Sequence, residues 1–136
     1  MKKIIYGPLF GGILGTLAAM VWFMGLFGAQ GEKWMTENAT CVNQMNELPY
    51  WAWILAILCV GLLGALTLDR LNINQMKQGA QIGAVLFFLV FTIVNLSMYL
   101  TFKSFQLSWM PIDIIGNTIG GACGGAATGW LFGKLK

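Results

Sequence analysis

The chain has 136 residues, of which 57% are hydrophobic and 10% charged, with a mean hydropathy of +0.71. Soluble domains carry about 45–50% apolar and about 25% charged residues, so this composition excludes an ordinary water-soluble domain. The 8 basic and 5 acidic residues give a net charge of +3, yet the cations sit at the ends of apolar runs and form no continuous basic face, which excludes a nucleic-acid groove. Histidine is absent, so histidine-ligated haem, histidine-containing zinc sites and histidine general-base catalysis are excluded as well.

Four long stretches are almost free of charge, and each reaches the roughly 20 residues that a bilayer crossing needs. The first predicted span runs over residues 4–28, behind Lys2 and Lys3. It is too long for the apolar core of a secretory signal, and Phe27 fits poorly before a cleavage site, so an uncleaved helix is expected. Residues 29–48 turn polar and read as an outer loop, with room for one amphipathic turn around Trp34 and Met35. Pro49 opens a second span over 49–68, which Asp69 and Arg70 stop. A short connector, Leu71 to Gln78, implies that the second and third spans are antiparallel neighbours. The third span covers 79–102. The fourth covers 111–132, with Pro111 near its first position, where a missing N–H is harmless.

The expected fold is therefore all-α, a single integral-membrane four-helix bundle, up-down-up-down. A cytoplasmic N-terminus puts Lys2, Lys3, Arg70, Lys77, Lys134 and Lys136 inside and only Lys33 and Lys103 outside, so both termini are expected to be cytoplasmic. In a bacterium that membrane would be the cytoplasmic one. Trp22, Trp34, Trp51, Trp53 and Trp109 fall near the outer interface in this frame.

Glycine at helical spacing is the strongest pattern. Gly116, Gly120 and Gly124 recur every four residues, and Gly121, Gly125 and Gly129 form a second ladder one position on. Gly7, Gly11 and Gly15 repeat the spacing in the first span. A face without side chains lets a neighbouring backbone approach closely, which matters in lipid because apolar burial contributes little between helices there. The ladders are expected to pack this chain's own helices, or to place one face against a second copy or another membrane subunit.

A second pattern is polar. Thr92, Asn95 and Tyr99 share a face of the third span, and Asp113 and Asn117 share a face of the fourth. With about 1.5 Å of rise per residue, Asn95 and Asn117 each come roughly 10 Å below the outer end of their span, and Tyr99 and Asp113 about one turn nearer that surface, so that the hairpin can bring these groups together. They read either as interhelical hydrogen-bond glue or as the wall of a polar vestibule. Asp113, in the first turn of its expected helix, also reads as a helix cap.

Cys41 lies in the outer loop, where it could pair with another chain. Cys59 and Cys123 lie mid-span at different positions and are expected to pack inside. Asn38-Ala39-Thr40 is a glycosylation triplet of low specificity. No paired carboxylates, nucleophile and base, or metal-ligand spacing occurs, so no enzymatic activity, cofactor or metal is expected. The expectation is a structural or accessory membrane subunit, in contact with the bilayer and with other membrane chains. The alternative is a small transporter or channel with an outward-facing vestibule around Asp113, Asn117, Asn95 and Tyr99. A bound lipid between the helices is compatible with either.

Overall fold

The computed structural model describes residues 2–37, 49–103 and 105–135. Among the described residues the structure is all-helical: α1 (Lys2–Glu37), α2 (Tyr50–Arg70), α3 (Met76–Thr101) and α4 (Trp109–Lys134). Three helices are long and apolar enough to cross a membrane, Ile5–Glu37, Tyr50–Arg70 and Met76–Thr101. The fourth equals α3 in length at 26 residues but is less apolar, because seven of its residues are glycine. The molecule is also apolar on its outside. Val21, Leu26, Ile93 and Leu100 are all exposed, while among the described residues only Ala65, Leu68 and Phe132 are hydrophobic side chains in full burial.

The helix α1 continues nine residues past Gly28, which corrects the expected loop over 29–48 at its start. Ala29–Glu37 holds no proline, and its one glycine, Gly31, is too weak an opponent to end a helix by itself. The Lys33 ammonium lies 3.8 Å from the Glu37 carboxylate at the i,i+4 spacing, and the Thr36 hydroxyl donates to the Glu32 carbonyl at 2.8 Å. At about 1.5 Å per residue, 36 residues reach about 54 Å, well beyond a hydrocarbon core of about 30 Å. The polar last turns of α1 are therefore long enough to stand clear of the apolar layer. The Asn38-Ala39-Thr40 triplet and Cys41 lie outside the described residues.

The α2–α3 turn shows how local chemistry sets the bundle. Asn72 takes the left-handed conformation (φ 55°), its N–H donates to the Asp69 carbonyl at 3.0 Å, and the Ile73 N–H donates to the Leu68 carbonyl at 2.9 Å. This pair of bonds is a Schellman stop, and asparagine is the non-glycine residue that tolerates its left-handed position best. The accompanying hydrophobic contact is present: Ile73 packs on the cluster of Ala65, Leu68 and Phe132, joined by Ile82 from α3. The start of α1 closes the same end. The Lys3 ammonium lies 3.9 Å from Asp69 and 5.1 Å from the centre of the Phe132 ring. One end of the bundle is thus a compact plug bearing Lys3, Asp69 and Arg70.

Candidate functional site

The site is built around α4, whose glycines meet two different helices. A methyl group added at Gly15 would lie 2.7 Å from the Gly120 carbonyl oxygen, and one at Gly124 would lie 2.5 Å from that of Gly11. Gly11 also faces the Thr128 hydroxyl, Gly7 faces Ala65 and Phe132 at 3.0 Å each, and Gly116 lies under the Trp22 ring. The other ladder faces α3. Methyl groups at Gly121 and Gly129 would lie 2.7 Å and 2.6 Å from the Gly83 and Gln75 carbonyl oxygens, and Gly125 abuts the Gly79 carbonyl. Every ladder glycine thus contacts another helix or the α2–α3 connector of the same chain. Such approach is open only to residues without a Cβ.

The α3 side of this seam, Gly79 and Gly83, was not among the residues that sequence reasoning singled out, although their spacing of four is the same signal. Gly12 and Gly61 make a comparable seam between α1 and α2. A methyl at Gly12 would lie 2.9 Å from the Ile57 carbonyl oxygen, and Gly61 abuts the carbonyl of Pro8.

Toward the other end, α3 and α4 share a polar cluster. The Asn95 amide donates to Asp113 Oδ2 at 2.7 Å and to the Phe91 carbonyl at 2.8 Å. The Asn117 amide donates to Asp113 Oδ1 at 3.0 Å and to the Asp113 carbonyl at 2.9 Å. Asn95 is 3% exposed, so its amide is committed to these acceptors. Each carboxylate oxygen receives one amide donor and keeps further acceptor capacity.

Two expected members are not drawn in. Thr92 donates to the Phe88 carbonyl of its own helix at 2.6 Å, and Tyr99 is 47% exposed. Sharing a helical face with Asn95 brings them to the right side, but their distance along the axis and rotation about it leave them off the α4 contact. The cap reading of Asp113 is also corrected. The helix α4 starts at Trp109, so Pro111 is its third residue and Asp113 its fifth, and the carboxylate bonds side chains across and along the helices instead of free N–H groups. Losing the Asn95 donor leaves Asp113 Oδ2 without its partner. Asn95→Ala is expected to cost about 1–2 kcal/mol, read as a lower thermal unfolding temperature in detergent micelles.

Between the four helices lies a cavity of about 540 Å³, which places Asp113 and Asn117 on one wall and is otherwise overwhelmingly apolar. Thr128, Leu68 and Ile82 line it at the plugged end, and Met24, Trp53 and Phe91 line it at the other. Its rim is accessible: Met24 is 70% exposed and Trp53 46%. The loosest seam is the one between α2 and α3, which touch least of all the contacting pairs.

Two further residues shape the site without having been anticipated for it. The Trp22 indole, expected only as an interfacial residue, donates across to the Ile112 carbonyl at 3.2 Å and pins α1 to the first turns of α4. The Thr128 hydroxyl, buried under Gly11, donates to the Gly124 carbonyl at 2.9 Å and lies 3.5 Å from that of Gly7. No periodicity marks such lone residues. Cys59 and Cys123 are unpaired and exposed, not packed inside as their mid-span positions led one to expect. No protein-family model matches the chain, and no curated protein or solved structure matches it.

Proposed function

We propose that this chain is a small, non-enzymatic integral membrane protein that crosses the bilayer four times and takes an apolar small molecule into its interhelical cavity. The single observation that carries this reading is the cavity itself, drug-sized, apolar and furnished with a few convergent polar groups, as ligand sites are. Its lower end is stoppered by Phe132, Leu68 and Ala65, a shape suited to holding a molecule and unsuited to passing ions straight through. The ladder glycines are taken up inside the chain, so the glycine pattern lends no weight to a subunit interface.

The crossing of the less apolar α4 rests on its surroundings. Eight of its residues are buried, seven glycine or threonine and one phenylalanine, so its polar and side-chain-free faces meet other helices and not hydrocarbon. The pairs Gly7 with Phe132 and Gly15 with Gly120, Gly79 with Gly125 and Asn95 with Asp113, and Gly7 with Ala65 and Gly12 with Ile57 run in opposite directions along α1 and α4, α3 and α4, and α1 and α2, which supports the up-down-up-down path. Lys3, Arg70 and Lys134 belong to the plugged end, which by the positive-inside rule would be cytoplasmic. Single cysteines introduced near the two termini, in a background without the native ones, are expected to react with a membrane-impermeant maleimide from the same, cytoplasmic side. Labelling of the two from opposite sides overturns the topology.

Gly64 provides the test of the cavity. It lines the space, and a methyl group built on it meets no atom within 4 Å. Gly64→Leu is expected to fold with thermal stability unchanged or slightly raised while lowering the binding of a neutral apolar probe, neopentylnaphthalene, by about tenfold or more in lipid nanodiscs. Equal binding by the two proteins, or none above empty nanodiscs, removes the cavity as a ligand site. Native mass measurement in mild detergent tests the competing subunit reading, for which a stable assembly with another chain is the required result.

A further inference from the structure

We infer that the cavity selects lipophilic organic cations, with Asp113 as the counter-charge; this rests on the cavity reading proposed above. Asp113 is an acidic side chain in the wall of an otherwise apolar space, and among the described residues no lysine or arginine pairs with it. The ion pairs among the described residues are Lys3 with Asp69 at the plugged end and Lys33 with Glu37 in the last turn of α1. Among the described residues the only side-chain partners of Asp113 are the amides of Asn95 and Asn117, which orient the carboxyl group and satisfy one acceptor position on each oxygen without neutralising a charge. A half-buried carboxylate held this way beside apolar walls, with no cationic side chain on it, is open to pairing with a monovalent organic cation.

The rest of the wall suits the same class. Phe23, Phe87, Phe91 and Trp53 line the cavity with Asp113, and Phe87 and Phe91 stack at 6.0 Å with an interplanar angle of 22°. Aromatic faces attract a substituted ammonium through their quadrupoles and need none of the hydrogen bonds that a metal ion or a hydrated small cation would demand. The apolar remainder accommodates the hydrocarbon or aromatic body of the ligand. Anions are disfavoured by the same carboxylate, and neutral apolar molecules gain the burial without the charge pairing.

Naphthylmethyl trimethylammonium and neopentylnaphthalene have nearly the same shape and differ in one atom, nitrogen against carbon, and hence in charge. Their binding to the full chain in nanodiscs of zwitterionic lipid, measured by equilibrium dialysis against empty nanodiscs, separates charge recognition from cavity filling. The cation is expected to bind at least about tenfold more tightly than its isostere, and Asp113→Asn is expected to abolish that preference, read as the ratio of the two probes on the same variant. Equal affinity of the two probes for the unaltered chain overturns the inference while the cavity reading stands. Cation binding unchanged by Asp113→Asn overturns it too, because the charge would then act from elsewhere. Binding of neither probe removes the cavity reading together with it. If Asp113→Asn does not fold, shown by loss of the neutral probe as well, the comparison of the two probes on the unaltered chain decides alone.

Discussion

Gly125→Ala is expected to unseat α3 from α4 and to lower the stability of the bundle markedly. The added group would overlap the Gly79 carbonyl oxygen, lie 3.0 Å from the Gly79 carbonyl carbon and lie 3.1 Å from the Gly83 Cα. All three are backbone atoms, which have no rotamer to yield. The helices must therefore separate, and dispersion is lost along the whole seam from Gln75 to Phe87, where little apolar transfer energy is available in lipid to offset it. An overpacking cost of about 1–3 kcal/mol is the expected minimum, visible as a lower unfolding temperature in micelles and faster proteolysis of the α3–α4 hairpin. Gly28→Ala is the matched control, because a methyl there meets nothing within 4 Å. In a helix interior that change is expected to be neutral or to stabilise by up to about 1 kcal/mol. Equal melting of the two variants would mean that the seam is looser than described.

Phe132→Ala is the second such change. The Phe132 ring is 1% exposed, meets Gly7 of α1, belongs with Ala65 and Leu68 of α2, and carries the Lys3 ammonium over its face. It therefore ties three helices together at the end where the cavity stops. Truncation deletes most of that plug, and large-to-small changes of a buried phenylalanine cost about 3–5 kcal/mol when the site does not collapse. Collapse is hindered here because nearby turns already meet backbone to backbone, Gly129 against Gln75 and Gly11 against Gly124. Reversible unfolding in mixed micelles is the appropriate measurement. Phe132→Leu, which keeps most of the volume, is expected to retain the larger part of the stability. A loss below about 1 kcal/mol for the alanine variant would show that the plug carries little of the fold.

Much of this architecture was legible before any coordinates. The apolar runs over residues 4–28, 49–68 and 79–102 suit a helix that satisfies its own backbone in a chain this poor in charge, and helices long and apolar enough to cross a membrane occupy Ile5–Glu37, Tyr50–Arg70 and Met76–Thr101. The polar pair on α4 was legible too. Asp113 and Asn117 are four residues apart, a spacing that makes them neighbours on any helix, and Asn95 sits at the depth that the hairpin brings opposite them. Helix ends were read less well. Gly28 looks like a terminus because composition changes there, but Ala29–Glu37 holds no proline and only one glycine, Gly31, to oppose continuation. Likewise Pro111 was placed at the helix start when two more residues, Trp109 and Met110, precede it in the first turn.

Spacing within one helix is a property of the chain, since 3.6 residues per turn put glycines or polar groups on a common stripe whatever surrounds them. The azimuth of that stripe is another matter. Which ladder of α4 faces α1 and which faces α3, why Asn95 reaches Asp113 while Thr92 and Tyr99 do not, and the existence of a cavity at all depend on how four helices are rotated against one another. Those rotations come from interlocking contacts such as Gly15 on Gly120, Gly83 on Gly121 and Phe132 against Gly7, each made by residues far apart in the chain. A one-dimensional pattern records which faces are able to meet, and close packing among all the helices together selects the faces that do.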